Sequence, residues 1–212
     1  MTRALLALFL LVTLSSCIGL PKPQPPATVY QLQAPAAGLM AQPPALPAGT
    51  RLEISLPGVA AGLDKDRIAL ALDGGRRLDY YAGAKWPAPL PEVIQDVAIA
   101  TLRQSLPGLS VDDEDNTTAP THRLRMDVQS FAPVYAGNAN SLPQVRVAIR
   151  FALVRLSDNA ILSDITLGAD QPVSANTLGA VTAALESGLH RVLTDALPRL
   201  ATPLAPVGKK SR

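Results

Sequence analysis

A chain of 212 residues, 48% hydrophobic and 17% charged, has a globular composition and enough length for one well-buried core. Its 19 Lys and Arg against 17 Asp and Glu leave a net charge of +2, and Lys209, Lys210 and Arg212 crowd into the C-terminus, so there is no basic face and no nucleic-acid partner is expected. Cys17 is the one cysteine, which excludes an internal disulfide as a source of stability.

The chain opens with Arg3 ahead of an apolar run over residues 4–14, too short to span a bilayer, and the run ends in Leu14-Ser15-Ser16-Cys17. Small residues directly before a cysteine resemble the lipobox, where a signal peptidase cuts ahead of a diacylglyceryl-modified cysteine. The expectation is a cleaved signal peptide over 1–16, lipidation at Cys17 and a Pro-rich lipidated linker over 17–28. At roughly 3.1 Å per residue, the eleven residues 18–28 reach about 34 Å when extended.

Thr28-Val29-Tyr30-Gln31-Leu32-Gln33 has the β-branched and aromatic character of a short strand. Residues 34–49 follow as a long loop, uncommon in a compact domain unless it is functional or poorly ordered. Alternation of Leu52, Ile54 and Leu56 before Pro57-Gly58, and of Ile68, Leu70 and Leu72 before Asp73-Gly74-Gly75, predicts two half-buried strands with turns behind them. Leu78–Tyr81 is a third strand candidate. Pro89 and Pro91 suit a helix N-terminus, and Leu90, Val93, Ile94, Val97, Ala98 and Leu102 give an apolar stripe ending before Pro107-Gly108.

After an acidic loop at Asp112–Asp115, Leu124, Met126 and Val128 alternate with charged residues, as do Val145, Val147, Ile149, Phe151 and Leu153. Residues 137–140 read as the hairpin tip between these strands, and Ser157-Asp158-Asn159 as the turn into a strand over 161–167. Aligning the apolar faces puts Val128 opposite Ile149 and Asp127 opposite Arg150 as a cross-strand pair. Leu178, Val181, Leu185, Leu189, Val192 and Ala196 predict a second amphipathic helix that stops near Pro198. The expected fold is α+β: a two-layer sandwich, its sheet mainly antiparallel, with two amphipathic helices on one face. It would form a single periplasmic domain over 29–203, followed by a basic tail at 204–212.

Little in this pattern suggests reaction chemistry. His122 and His190 lack neighbours at metal-ligand spacing, and no nucleophile elbow or phosphate-cradling loop occurs. No catalytic residue, cofactor or metal is expected, and the protein is read as a non-enzyme. The run at 112–115 lacks the ligand spacing and turn glycine of a calcium loop and reads as a solvated acidic loop. Gly74-Gly75-Arg76-Arg77 fits either an anion site or a hairpin turn with exposed arginines. Trp86, the one tryptophan, is either an anchor for a partner or a plug packed on the sheet.

Three segments together resemble a known family. Val29-Tyr30-Gln31-Leu32-Gln33-Ala34-Pro35 resembles the Tyr-x-Leu-x-x-Pro opening of the ABC-type transport auxiliary lipoproteins, the PqiC-like group. Lys85-Trp86-Pro87-Ala88-Pro89-Leu90, leading to a helix that closes with Leu106-Pro107-Gly108, is similar to that family's Trp-x-x-Pro-Leu segment. Between them, residues 56–68 are similar to a family stretch that carries a Tyr-Leu pair, although the tyrosine is missing here. The resemblance implies an auxiliary or docking subunit of an MCE/ABC-type system that moves lipids between membranes, with an MCE-domain protein and its permease as partners. It also implies attachment to the outer membrane at its periplasmic face, since Ile18 rather than the aspartate of inner-membrane retention follows Cys17. A homo-oligomer remains open. The competing reading is a pilotin-like or other lipoprotein adaptor of an outer-membrane secretion or assembly machine.

Overall fold

The computed structural model describes residues 26–205 except 38, 117, 118, 138 and 139. The expected signal peptide, Cys17, most of the linker and the tail from 206 onward lie outside the described residues. What is described is a mixed α/β structure with two helices and a large sheet.

The antiparallel part is a meander of three long strands, β7 (His122–Val134), β8 (Gln144–Arg155) and β9 (Ala160–Pro172). Period-two patterning fixes its register: Val128 faces Ile149 and Asp127 faces Arg150, as alignment of the apolar faces requires. Leu124, Met126 and Val128 point inward with Val145, Val147, Ile149, Phe151 and Leu153, all buried. A bulge between Val128 and Ser130 shifts the phase, so Phe131 enters the core in place of the next even-numbered residue.

The expectation of a mainly antiparallel sheet needs correction at the other edge of β7. Here β2 (Arg51–Ile54), β3 (Gly58–Val59) and β4 (Arg67–Leu72) lie end to end, each parallel to β7, opposite residues 122–124, 127–128 and 134. Pro57-Gly58 therefore interrupts a strand without reversing it, because proline removes a ladder donor while the chain direction persists. β6 (Ser110–Asp113) joins β2 in parallel, so the first half of the acidic run is strand rather than loop. β5 (Arg77–Lys85), longer than its sequence pattern indicated, pairs antiparallel with β4 and in parallel with the short β1 (Thr28–Val29). The predicted alternation in β4 also fails, since every residue from Ile68 to Leu72 is buried. Ile68 and Ala69 enter the main core, while Leu70 and Leu72 pack with Tyr135 in a small second cluster.

Both helices bury their apolar stripes in the main core with the inward residues of β7 and β8. Helix α1 (Leu90–Ser105) starts after Pro89 with Pro91 in its first turn, where a missing N–H costs nothing, and burial of its stripe holds it in place. Helix α2 (Leu178–Leu204) opens on Thr177, whose side chain accepts the Ala180 N–H. It does not stop at Pro198 but runs six residues further, with Pro198 and Pro203 inside it. Leu200, Ala201 and Leu204 are buried there, and their transfer from water, on the order of 1.5–3 kcal/mol for each leucine, offsets the bond lost at proline. At Gly188 the helix backbone approaches β8 so closely that an added Cβ would lie 2.8 Å from Val147 Cγ2.

The stretch over 34–49, expected as a long loop, contains no strand or helix among its described residues, yet Leu39, Met40 and Leu46 pack partly buried against the core. Just upstream Leu32 is buried, and α2 holds the Gln33 backbone from two sides. Glu186 accepts the Gln33 N–H at 2.9 Å, and His190 Nε2 donates to the Gln33 carbonyl at 2.7 Å. The segment is thus strapped across the helical layer.

Candidate functional site

The side chains singled out in the sequence do not converge on one site. Trp86, between β5 and α1, is only 1% exposed; its ring meets Phe131 edge-on at 6.2 Å between centroids. Its backbone N–H donates to Asp66 at 2.7 Å, which ties the end of β5 to the start of β4. The indole is part of the core at the bulged end of β7, so it is not displayed on the surface.

His122 and His190 stand on different elements. Nδ1 of His122 lies 2.9 Å from Thr121 Oγ1; burial, and then the charge of Arg155, hold its pKa below the ordinary imidazole value. His190 is engaged with Gln33. Among the described residues no group of His, Cys, Asp or Glu is placed to hold a metal ion.

The acidic run is consumed by local structure. Asp112 pairs with Arg103 at 2.9 Å, joining β6 to the last turn of α1. The Asp113 carboxylate accepts bonds from the Asn116 side chain and from the backbone of Asn116 and Asp115, which holds its pKa below the usual carboxylate range. Glu114 accepts the Leu56 N–H at 3.2 Å and a bond from Gln95 Nε2 at 2.7 Å; the buried Gln95 also donates to the Ile54 carbonyl at 2.8 Å. These are ties between α1, β2 and β6.

Gly74-Gly75-Arg76-Arg77 forms the turn between β4 and β5. Asp73, Gly74 and Gly75 have φ of 54°, 69° and 95°, a left-handed path that glycine adopts at little cost. Two of its amides are already used: Gly74 N–H donates to Tyr135 at 2.9 Å and Asp73 N–H to Gly137 at 3.3 Å, fastening the turn to the β7–β8 tip. Arg77 lies 3.4 Å from Asp73, while Arg76 is exposed and makes no ion pair among the described residues.

The outer face of the meander is a lattice of charge pairs. Arg146 meets Asp170 directly across β8 and β9 at 3.0 Å. Arg150, although opposite Asp127 in register, closes its fork on Asp164 at 2.6 and 2.8 Å. Arg155 forks onto Asp158, whose pKa is drawn down to about 2 chiefly by that bond. A shallow groove of about 440 Å³ crosses this face over Ala152 and Val154, flanked by Arg125 and the 66%-exposed Ile161. Sequence reasoning missed two polar links. Glu53, 6% exposed, receives the Arg123 guanidinium from the adjacent strand. The hydroxyls of Tyr81 and Tyr135 are bonded at 2.8 Å, and Tyr135 donates to Asn176 at 2.9 Å; burial and then the Tyr135 bond raise the Tyr81 pKa. Parallel pairing sets the first and the β7–β8 tip the second, so neither has a local sequence signal.

Among the described residues, no helix is long and apolar enough to cross a membrane. The sequence model of the ABC-type transport auxiliary lipoprotein component matches residues 30–196. Protein XCC0632 of Xanthomonas campestris, assigned to family DUF330, is similar in fold with a TM-score of 0.65. It is 24% identical, and the match covers 84% of this chain and 93% of that one. A second solved structure, of an uncharacterized protein, matches with the same TM-score of 0.65 at 14% identity, over 82% of this chain and 99% of its own. These structural likenesses establish the fold. No protein of curated function matches the chain.

Proposed function

The chain belongs to the ABC-type transport auxiliary lipoprotein family, and from that membership we propose that it is a lipid-anchored docking subunit of an MCE/ABC-type intermembrane lipid transport system, held at the outer membrane through Cys17. The observation that carries the reading is the match over residues 30–196, which takes in nearly the whole described structure. The internal geometry supports a role in binding rather than catalysis. Asp112 and Glu114 of the acidic run, His190 and the tryptophan that stand out in the sequence serve to join elements of the fold, and His122 is bonded to its neighbour Thr121.

In this role the protein supplies a rigid attachment piece, and its partners move the lipid and provide the energy. An MCE-domain protein and its permease are the partners this reading names. Crosslinking in intact cells followed by purification of the full chain from membranes tests it. Recovery of an MCE-domain protein and its permease is the expected result. Recovery of a secretin or another outer-membrane assembly component in their place would replace this reading with that of a secretion adaptor.

A further inference from the structure

The edges of the sheet differ in how they are closed to other strands. β6 spans four residues, and Arg103 of α1 covers it, donating from Nε to the Val111 carbonyl at 2.8 Å and pairing with Asp112 at 2.9 Å. β5, where β1 does not cover it, carries Arg77 and Asp79, loses its regular register with β4 between Arg67 and Ala69, and passes through Gly83 at φ 67°. Charges and irregularities of this kind keep a sheet edge from pairing with another chain. β9 is different. It runs for thirteen residues, pairs with β8 alone among the described residues, and holds an unbroken register with β8 from Ser163 to Pro172. Its two charges, Asp164 and Asp170, are bonded to Arg150 and Arg146 of β8 at 2.6 and 3.0 Å, which draws both carboxylates toward β8 and away from the edge. Between them, residues 165–169 are uncharged. Alternate residues of such a strand direct their N–H and C=O groups away from β8, where they form a template for a further strand.

The side chains of β9 complement a second β9. Ile165, Leu167 and Ala169 are partly buried against the main core, while Asp164, Thr166 and Gly168 are exposed on the opposite face. An antiparallel copy turned about a two-fold axis at Thr166 sets Thr166 opposite its counterpart, Ile165 opposite Leu167, and Asp164 opposite Gly168. Apolar residues then meet on the helical face, two threonines meet at the centre, and no carboxylate opposes another. Moving the axis to Leu167 would set Asp164 against Asp170, and moving it to Ile165 would set Leu167 against Ser163. The helical layer fits the same symmetry. A Cβ added at Gly188 would lie 2.8 Å from Val147 on β8 and 3.5 Å from Gln171 on β9, so α2 runs above the gap between these strands. The two-fold axis stands perpendicular to the sheet, which puts both copies of α2 on one face, two strand spacings or about 10 Å apart. Helices pack side by side at about 8–10 Å, so the pair gains a helix contact in addition to the strand ladder.

We propose that the free edge of β9 is a homodimer interface, at which two copies of this chain pair antiparallel about Thr166 into one continuous sheet with their α2 helices side by side. Such an interface is isologous, the same surface being used by both copies. It is independent of the docking role and of the lipid anchor.

Residues directly opposite in an antiparallel pair have Cα atoms about 4.5–5.5 Å apart, within the span of a disulfide. The full chain is purified from membranes in mild detergent, and its mass is measured by light scattering with the detergent contribution subtracted. A dimer is expected at micromolar concentration. On mild oxidation Thr166→Cys should become mainly a disulfide-linked dimer, whereas the wild type, which carries Cys17 alone, and the exposed Ser157→Cys should not. Thr166→Lys places two cations against each other across the axis and should raise the dimer dissociation constant about tenfold or more. An unchanged far-ultraviolet circular dichroism spectrum and a cooperative urea transition identify that variant as folded. A monomeric wild type, a folded Thr166→Lys chain that dimerises as the wild type does, or a disulfide yield at position 166 no greater than at 157 overturns the proposal.

Discussion

Substituting Gly188 by alanine sets two effects of known sign against each other. In a helix interior, Gly→Ala is favourable by about 0.8–1 kcal/mol, because alanine loses less backbone freedom on folding. At this position the new Cβ would stand 2.8 Å from Val147 Cγ2, and 3.5 Å from both Val147 Cβ and Gln171 Cγ. Val147 is 0% exposed within β8, so it cannot swing aside, and overpacking of this kind costs roughly 1–3 kcal/mol. The net expectation is a loss of about 0–2 kcal/mol. Trimming the obstructing methyls should reverse the sign: in a Val147→Ala background, Gly188→Ala should stabilise by up to about 1 kcal/mol, giving a coupling of roughly 1–3 kcal/mol across the helix–sheet contact. Gly179 is the control, since nothing lies within 4 Å of its added Cβ, and Gly179→Ala should be neutral or stabilising in either background. Urea unfolding followed by far-ultraviolet circular dichroism measures all of these variants. If Gly188→Ala stabilises the wild-type protein as much as it stabilises Val147→Ala, α2 does not pack on β8 at this distance and the reasoning fails.

Phe151→Ala and Leu185→Ala, both 0% exposed, should each cost roughly 2–5 kcal/mol, whereas exposed Arg125→Ala should cost under about 0.5 kcal/mol; indistinguishable urea midpoints would contradict the placement of the core. His122 has its folded pKa lowered by burial and by Arg155, so the unfolded chain takes up the proton first and stability should fall as pH drops below about 6.5 toward the folded value. His122→Gln should flatten that part of the urea midpoint–pH profile, and an unchanged slope would show that another group is responsible. Cys17→Ser should leave the precursor uncut and unlabelled by radioactive palmitate; labelling equal to wild type would remove the anchor on which the proposed function depends.

The meander and the helical stripes were legible in the sequence because they depend on local periodicity. A period of two over β7 and β8 leaves one register in which both apolar faces point inward, and Val128 meets Ile149 in that register. The same logic stopped at Gln129, where the bulge breaks the period, and although it placed Asp127 opposite Arg150 it did not reveal that the guanidinium bonds Asp164. A guanidinium reaches diagonally across a ladder, and Asp164 on β9 offers it a two-bond fork. The stop at Pro198 was misread because proline acts locally, whereas Leu200 and Leu204 continue the stripe into a core already built by the sheet.

Among the candidate site residues, sequence gave each a chemical type without a neighbour. Whether Trp86 was displayed or packed depended on Phe131, forty-five positions along the chain and turned inward by the bulge. The roles of Glu114 and His190 depended on Gln95 and Gln33, which no local pattern links to them. What the sequence determined by itself was therefore the amphipathic helical stripes and the antiparallel register of the meander, both encoded over a few consecutive residues. Tertiary structure alone decided the parallel edge, where strands as short as Gly58–Val59 carry no period of their own and take their direction from β7. It also decided which charges are spent on internal ties, because these depend on residues that meet only once the chain has folded.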